Sequence, residues 1–175
     1  MVVMVDDAGV GDPVGGVVVG VLEVRKNCFV WDVIPVHFFQ NPLFKEKRYL
    51  EEAVNAVLRC FERVGVVEGE VIKICRGDIF KLARRRLAER FEVETVKIEG
   101  ALQVLVEKAY VDYLVSLGVP REILGLEAGK ERFVKLLKWI YEDPEERLKI
   151  AKTGWRSWPR LDKWGRKLNK RKSDE

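Results

Sequence analysis

Histidine is almost absent from this chain, which has His37 alone, and cysteine is sparse, with Cys28, Cys60 and Cys75 standing far apart. An odd number of widely spaced cysteines excludes a disulfide framework and a zinc knuckle, so all three are read as reduced and structural. His37 lies in an apolar run with no second His or Cys at ligand spacing, and is read as a core or rim residue, not a catalytic one. Long hydrophobic runs are missing as well. The apolar stretch from Val2 to Val5 is short and has no basic lead-in, which argues against a signal peptide, and no later segment is long enough to cross a bilayer. A cytoplasmic protein without membrane association is expected. Glutamine and asparagine are scarce while 34% of residues are charged, a balance that points to a thermophilic source.

What is present is enough for one domain with a substantial core and an appendage, 175 residues of which 47% are hydrophobic. The chain opens on a continuous apolar run, Val2-Val3-Met4-Val5, that reads as a short strand buried on both faces. Asp6 and Asp7 follow at its end, where the sheet's rim would expose them. Gly9, Gly11, Pro13, Gly15 and Gly16 then demand tight turns before Val17-Val18-Val19-Gly20-Val21-Leu22 re-enters the sheet. The result is a hairpin with acid at its root. Neighbouring side chains on a strand point to opposite faces, so Asp6 and Asp7 enter one site together only if the strand ends at Asp6. Otherwise Asp6 is the better candidate.

Asp6-Asp7-Ala8-Gly9-Val10-Gly11, followed by Pro13-Val14-x-Gly16 and a valine-rich strand, resembles the opening of type 2 ribonucleases H, which reads Asp-Glu-Ala-Gly-Arg-Gly-Pro-Val-x-Gly. In that family the two leading carboxylates bind divalent metal and the Gly-Arg-Gly grips the strand at an RNA–DNA junction. Here Val10 stands at the arginine and Asp12 is inserted before the proline. A glycine-rich hairpin with ordinary turn residues is the alternative reading of the same stretch.

Residues 16 to 24 and 28 to 39 are valine-rich and aromatic, separated by the polar turn Arg25-Lys26-Asn27, and read as strands two and three of an antiparallel meander. A helix from Phe44 to near Gly65 carries Leu50, Ala53, Val54, Val57, Leu58 and Phe61 on one stripe, with Glu51 and Glu52 off it. Val71 to Cys75 reads as strand four. Arg76-Gly77-Asp78 closes it before a helix over 79–91, where Asp78 suits both an N-cap and a metal ligand. Arg84, Arg85 and Arg86 on that helix are a basic run for phosphates or a solvated face. Strand five, over 93–98, ends in Glu99. The next helix, over 101–117, brings Glu107 onto the line of Gln103, so that it either walls a metal site or faces solvent. In the resembling family an aspartate follows the fifth strand and the next helix carries a Lys and an Arg-Asp pair; Lys108 and Asp112 fall at that spacing, and Glu99 takes the aspartate's place.

Strand-strand-strand-helix-strand-helix-strand-helix is the order of the ribonuclease H-like fold: an α/β protein with a five-stranded mixed sheet over residues 1–118. Residues 119–175 form a helical, basic C-terminal extension. There Asp143-Pro144-x-Glu146 is a helix start, and the run from Arg147 to Lys172 is dominated by Lys and Arg. Trp155, Trp158 and Trp164 are interleaved with Arg156, Arg160 and Lys163, which combines phosphate neutralisation with flat surfaces for stacking bases. Docking of the tryptophans on the domain is the alternative, and both can hold.

The expectation is a divalent-metal-dependent nuclease cutting phosphodiesters in RNA, RNA–DNA hybrid or branched DNA. Its catalytic and metal-binding residues would be Asp6, Asp7, Asp78 and Glu99, with Glu107 as a further ligand, around Mg2+ or Mn2+. Arg84, Arg85, Trp155, Arg156, Trp158, Arg160, Lys163 and Trp164 are the nucleic-acid contacts. A fold member that binds nucleic acid without cutting it, or a protein-interaction module, are the alternatives.

Overall fold

The computed structural model describes residues 2–125 and 129–173, the last three as backbone only. Five strands form one sheet in the order β3-β2-β1-β4-β5. The central strand β1 (Val2–Ala8) pairs antiparallel with β2 (Val17–Glu23), which pairs antiparallel with β3 (Cys28–Ile34). On its other side β1 pairs parallel with β4 (Val71–Cys75), and β4 with β5 (Glu92–Val96). This strand order and connectivity, with helices inserted before β4, before β5 and after it, is the ribonuclease H-like fold.

The pattern of burial follows from what covers each strand. Every residue of β2 is buried because helix α1 (Arg48–Val64) and helix α3 (Ala101–Ser116) both pack on it. That is why its sequence is nearly unbroken Val and Leu. Helix α1 turns Ala53, Val54, Val57, Cys60 and Phe61 inward and stops at Gly65. There a left-handed φ of 72° lets the Gly65 N–H reach back to the Phe61 carbonyl.

Several expected boundaries move. The third strand ends at Ile34, not Phe39, because Pro35 cannot donate to the ladder and a 3-10 turn, Val36–Phe39, follows. His37 therefore sits exposed on that turn, its ring 4.4 Å from Phe38. The first helix begins at Arg48, after a run of turns from Asn41. The helix expected over 79–91 splits into a 3-10 turn, Asp78–Phe80, and helix α2 (Lys81–Leu87). Asp78 is itself the first residue of that turn and makes no capping hydrogen bond, so the capping role is not realised.

The C-terminal extension comprises helices α4 (Lys130–Glu142), α5 (Pro144–Arg147) and α6 (Trp158–Ser173). Asp143 caps α5, its Oδ1 accepting from the Glu146 N–H at 3.5 Å. Between α5 and α6 the chain returns to the N-terminal hairpin. Ala151 forms a β-bridge with Val14, the Gly15 N–H donates to the Ile150 carbonyl at 2.8 Å, and the Lys152 N–H donates to the Pro13 carbonyl at 2.9 Å. The side chains of Arg171 and Lys172, part of the basic run, lie outside the described residues. No helix among the described residues is long and apolar enough to cross a membrane.

Helix α6 lies against α4 at a glycine. A Cβ on Gly165 would sit 2.1 Å from the ring of Tyr141, which is buried and whose hydroxyl donates to Asp162 at 2.6 Å. Gly165→Ala should therefore lower the melting temperature, although Ala is favoured over Gly in a helix by about 1 kcal/mol. Differential scanning calorimetry checks the sign, and a rise would show that α6 can move away from Tyr141 at little cost.

Candidate metal centre

Strand β1 delivers Asp6 and Asp7 to the rim, and an asymmetry in its two ladders lets them converge. Pairing with β4 stops at Val5↔Ile74, whereas pairing with β2 continues to Ala8↔Val18. The strand thus runs past Asp6, contrary to the condition set for both aspartates to share a site. Yet on the β4 side the edge is open from Asp6 onward, and both carboxylates meet the end of β4 there. The ligating atoms of Asp6, Asp7 and Cys75 all lie within 4.8 Å of one another, and the Cys75 Sγ–H donates to Asp7 Oδ1 at 3.4 Å.

Cys75 is the residue that sequence reasoning missed. Without partners in sequence it reads as structural, but as the last residue of a parallel strand beside β1 it emerges next to the acidic pair.

Crowding of acids sets the electrostatics. Burial, and then the charge of Asp6, push the Asp7 carboxyl up to about 7, against the weaker opposing effect of the Cys75 thiol. Asp6 is also raised, chiefly by burial. The Cys75 thiol is held far above its ordinary range by burial and by Asp7, so the site keeps it protonated. Such mutual disfavouring of charge is what a dication would relieve. Two carboxylates with a thiol beside them fit a divalent cation.

A buried charged cluster braces the hairpin behind these groups. Asp12, the residue inserted relative to the resembling motif, is buried and ion-paired with Arg132 of α4 at 2.6 Å. Arg132 also meets Glu107 of α3 at 3.1 Å, and its guanidinium stands 5.3 Å from the centre of the Tyr110 ring. Glu107 is thus oriented by Arg132. Its carboxyl is raised mainly by burial, against Arg132, with a smaller contribution from Asp6 that places it in the same electrostatic neighbourhood. The Tyr110 hydroxyl donates to the Val14 carbonyl at 3.0 Å, and its ring lies where a Cβ on Gly9 would be, 2.3 Å away, so only glycine fits.

Lys152 completes the brace. It is fully buried, and its Nζ donates to the carbonyls of Gly9 at 2.8 Å, Asp12 at 2.6 Å and Val14 at 3.4 Å. Burial pulls its ammonium down to about 7, opposed by the charge of Asp12.

The other expected residues are scattered more widely. Asp78 is exposed beyond the end of β4, close enough to Tyr49 for its charge to add to the effect of burial in raising that phenol. Glu99 is fully exposed and paired with Lys97, with no contact to the acidic pair. Arg84 is turned inward, Nη1 donating to the carbonyls of Cys75 at 2.8 Å and Gly77 at 2.9 Å, so it shapes the loop that carries Asp78. Arg85 is exposed. Trp158 is buried, as the docking alternative required; Trp155 is half-buried, while Arg156, Arg160, Lys163 and Trp164 are exposed.

Two outcomes follow. Lys152→Met leaves the buried Asp12 carbonyl without a donor, while the Gly9 carbonyl keeps the Asp12 N–H and the Val14 carbonyl the Tyr110 hydroxyl. An unpaired buried acceptor costs roughly 1 to 3 kcal/mol, so unfolding in urea should show a loss of at least about 1 kcal/mol. An unchanged midpoint would mean water replaces the ammonium. For Asp7, a folded pKa of about 7 against 3.8 means that the folded state holds its proton more tightly. Its stabilisation is present at low pH and lost as pH rises through 7. In chelator, Asp7→Asn should therefore gain on the wild type in melting temperature from pH 4 to pH 7.5; a constant difference refutes the shift.

Comparisons with family profiles and with curated proteins give no match. Among solved structures, the crystal structure of ribonuclease H2 from Pyrococcus horikoshii aligns over 95% of this chain and 99% of its own, with 13% identity and a TM-score of 0.48. The fold assignment above rests on strand order and connectivity.

Proposed function

We propose that the chain is a divalent-metal-dependent phosphodiester hydrolase acting on nucleic acid: RNA, RNA–DNA hybrid or branched DNA. The observation that carries this reading is the convergence of Asp6, Asp7 and Cys75 within 4.8 Å at the open edge of the central strand. Asp6 and Asp7 would hold Mg2+ or Mn2+, cations suited to oxygen donors. A divalent cation there would supply an activated water and neutralise the leaving oxygen. The remaining roles belong to the chain itself. Lys152 and the Asp12–Arg132 pair hold the hairpin that follows the aspartates, and Arg132 orients Glu107. Asp78, on the loop after Cys75, is the third carboxylate within this reading. Glu99 is held by Lys97, and among the described residues neither it nor Asp78 makes a contact with the cluster.

Val10 is 45% exposed at the hairpin tip and offers no hydrogen-bond donor where the resembling family has arginine. Selective incision at an RNA–DNA junction is not expected from that position. Held protonated, Cys75 is not a cation ligand in this reading, which leaves the two carboxylates to Mg2+ or Mn2+. The same residue favours a second reading, a nucleic-acid-binding member of the fold that does not cut, because β4 ends in a protonated thiol and not a carboxylate.

Titration with Mn2+ followed by thermal melting separates these. Saturation at about 100 times the Kd stabilises a folded protein by about 2.7 kcal/mol, so wild type should melt several degrees higher, and Asp6→Asn and Asp7→Asn should not. Cleavage of a substrate panel with Mg2+ and Mn2+ should fall at least roughly 100-fold in both variants. Metal-induced stabilisation without cleavage supports the binding reading; no stabilisation by either metal removes the metal centre altogether.

A further inference from the structure

On the far side of Lys152 from the hairpin, the chain forms an open groove of about 710 Å3 lined by Phe44, Trp155, Arg156, Ser157 and Arg160. Its floor is aromatic. Phe44 stacks on Tyr49 at 5.3 Å and lies 6.4 Å from Phe39, which itself stacks on Tyr49 at 5.7 Å. The Gly154 N–H donates to the Phe39 carbonyl at 2.9 Å, which fixes the segment carrying Trp155 against this cluster. The walls are cationic. Arg156 and Arg160 are exposed and have no ion-pair partner among the described residues, although most other arginines nearby are paired, as Arg147 with Glu142 and Arg166 with Asp162.

We infer that this groove seats an unpaired nucleotide, its base on Trp155 and Phe44 and its phosphates on Arg156 and Arg160. Unpaired guanidinium groups beside flat rings call for a ligand that is planar at one end and anionic at the other. A base inside a duplex has both faces covered by its neighbours, whereas a single-stranded nucleotide offers a free face to an aromatic ring. The guanidinium fork matches phosphate oxygens in a way that a carboxylate-free groove leaves open.

The groove is also connected to the candidate metal centre. Lys152 stands 5.8 Å from the Trp155 ring while its Nζ holds the Gly9 and Asp12 carbonyls of the hairpin. Tyr49, stacked on Phe44, lies near Asp78. The inference rests on the nucleic-acid reading above and narrows it: the substrate class is a strand with an unpaired flank, not a blunt duplex.

Binding of fluorescently labelled oligonucleotides to the full chain in chelator tests this without any metal or cleavage. One arm is a blunt duplex; the others are the same duplex with a single-stranded DNA or RNA overhang. Wild type should prefer an overhang by roughly five- to 150-fold, the range that one stacked base contributes. Trp155→Ala should erase the preference and Trp155→Phe should keep most of it. Arg156→Gln with Arg160→Gln should weaken overhang binding and reduce the salt slope by roughly 1.4, two single-strand phosphate contacts. Equal affinity of wild type for blunt and overhanging ends, or a preference that survives in folded Trp155→Ala, overturns the groove. Should Trp155→Ala fail to fold, an unaltered salt slope in the arginine double variant overturns it instead. Overhang preference in a protein that cleaves nothing sinks the hydrolase and leaves the groove standing, and cleavage without overhang preference does the reverse.

Discussion

The ammonium of Lys152 is the interaction on which the site depends. One buried cation gathers three backbone carbonyls from a turn that begins at Gly9 and ends at Val14. A turn so rich in glycine would otherwise have many conformations of similar energy, because glycine forfeits the most freedom on ordering. The three N–H donors of an ammonium match three carbonyl acceptors, and the Asp12 carboxylate, itself locked by Arg132, compensates the charge. Removing water from that cluster is costly, so the arrangement is tolerated only because every partner is held by a different element: hairpin, α3, α4 and the strand-like segment after α5.

This explains how a chain with a conventional sheet produces a congested acidic pair. The sheet needs only Val3, Val5, Ile72 and Ile74 in the core. The edge between β1 and β4 opens because the β4 ladder stops before Asp6, and the two half-buried aspartates meet the Cys75 thiol there. Their raised proton affinities are the cost of that confinement, and a cation would be the natural relief.

Much of the fold was legible in the sequence, since valine-rich runs separated by polar turns and a 3.6-residue stripe on α1 specify element type and order. Boundaries slipped where a single residue overrode the pattern. Pro35 cut the third strand, and the 3-10 turn at Asp78 took the residue that was expected to cap a helix. The site was less legible, because it is made of contacts between residues that sequence separates by many tens of positions. Asp6 and Asp7 announced themselves through the hairpin motif. Cys75 could have been found from register alone, as the end residue of a strand parallel to β1. Lys152 could not, since a lysine within a basic run gives no sign that it will be buried while its neighbours stay in solvent. Glu99 looked like a rim carboxylate by position, but β5 lies at the edge of the sheet and Lys97 is nearer than the acidic pair.

The bridge between Val14 and Ala151 has a consequence for the order of events during synthesis. The first strand and its hairpin leave the ribosome early, yet the lysine that shapes the hairpin is 143 positions later than Gly9. Closing so long a loop is entropically costly and slow relative to local helix formation. The nascent chain therefore carries its acidic pair beside an unbraced turn until the segment after α5 has been made. A truncated product, released before Lys152, would hold the strand sequence and both aspartates but not the geometry that brings them together.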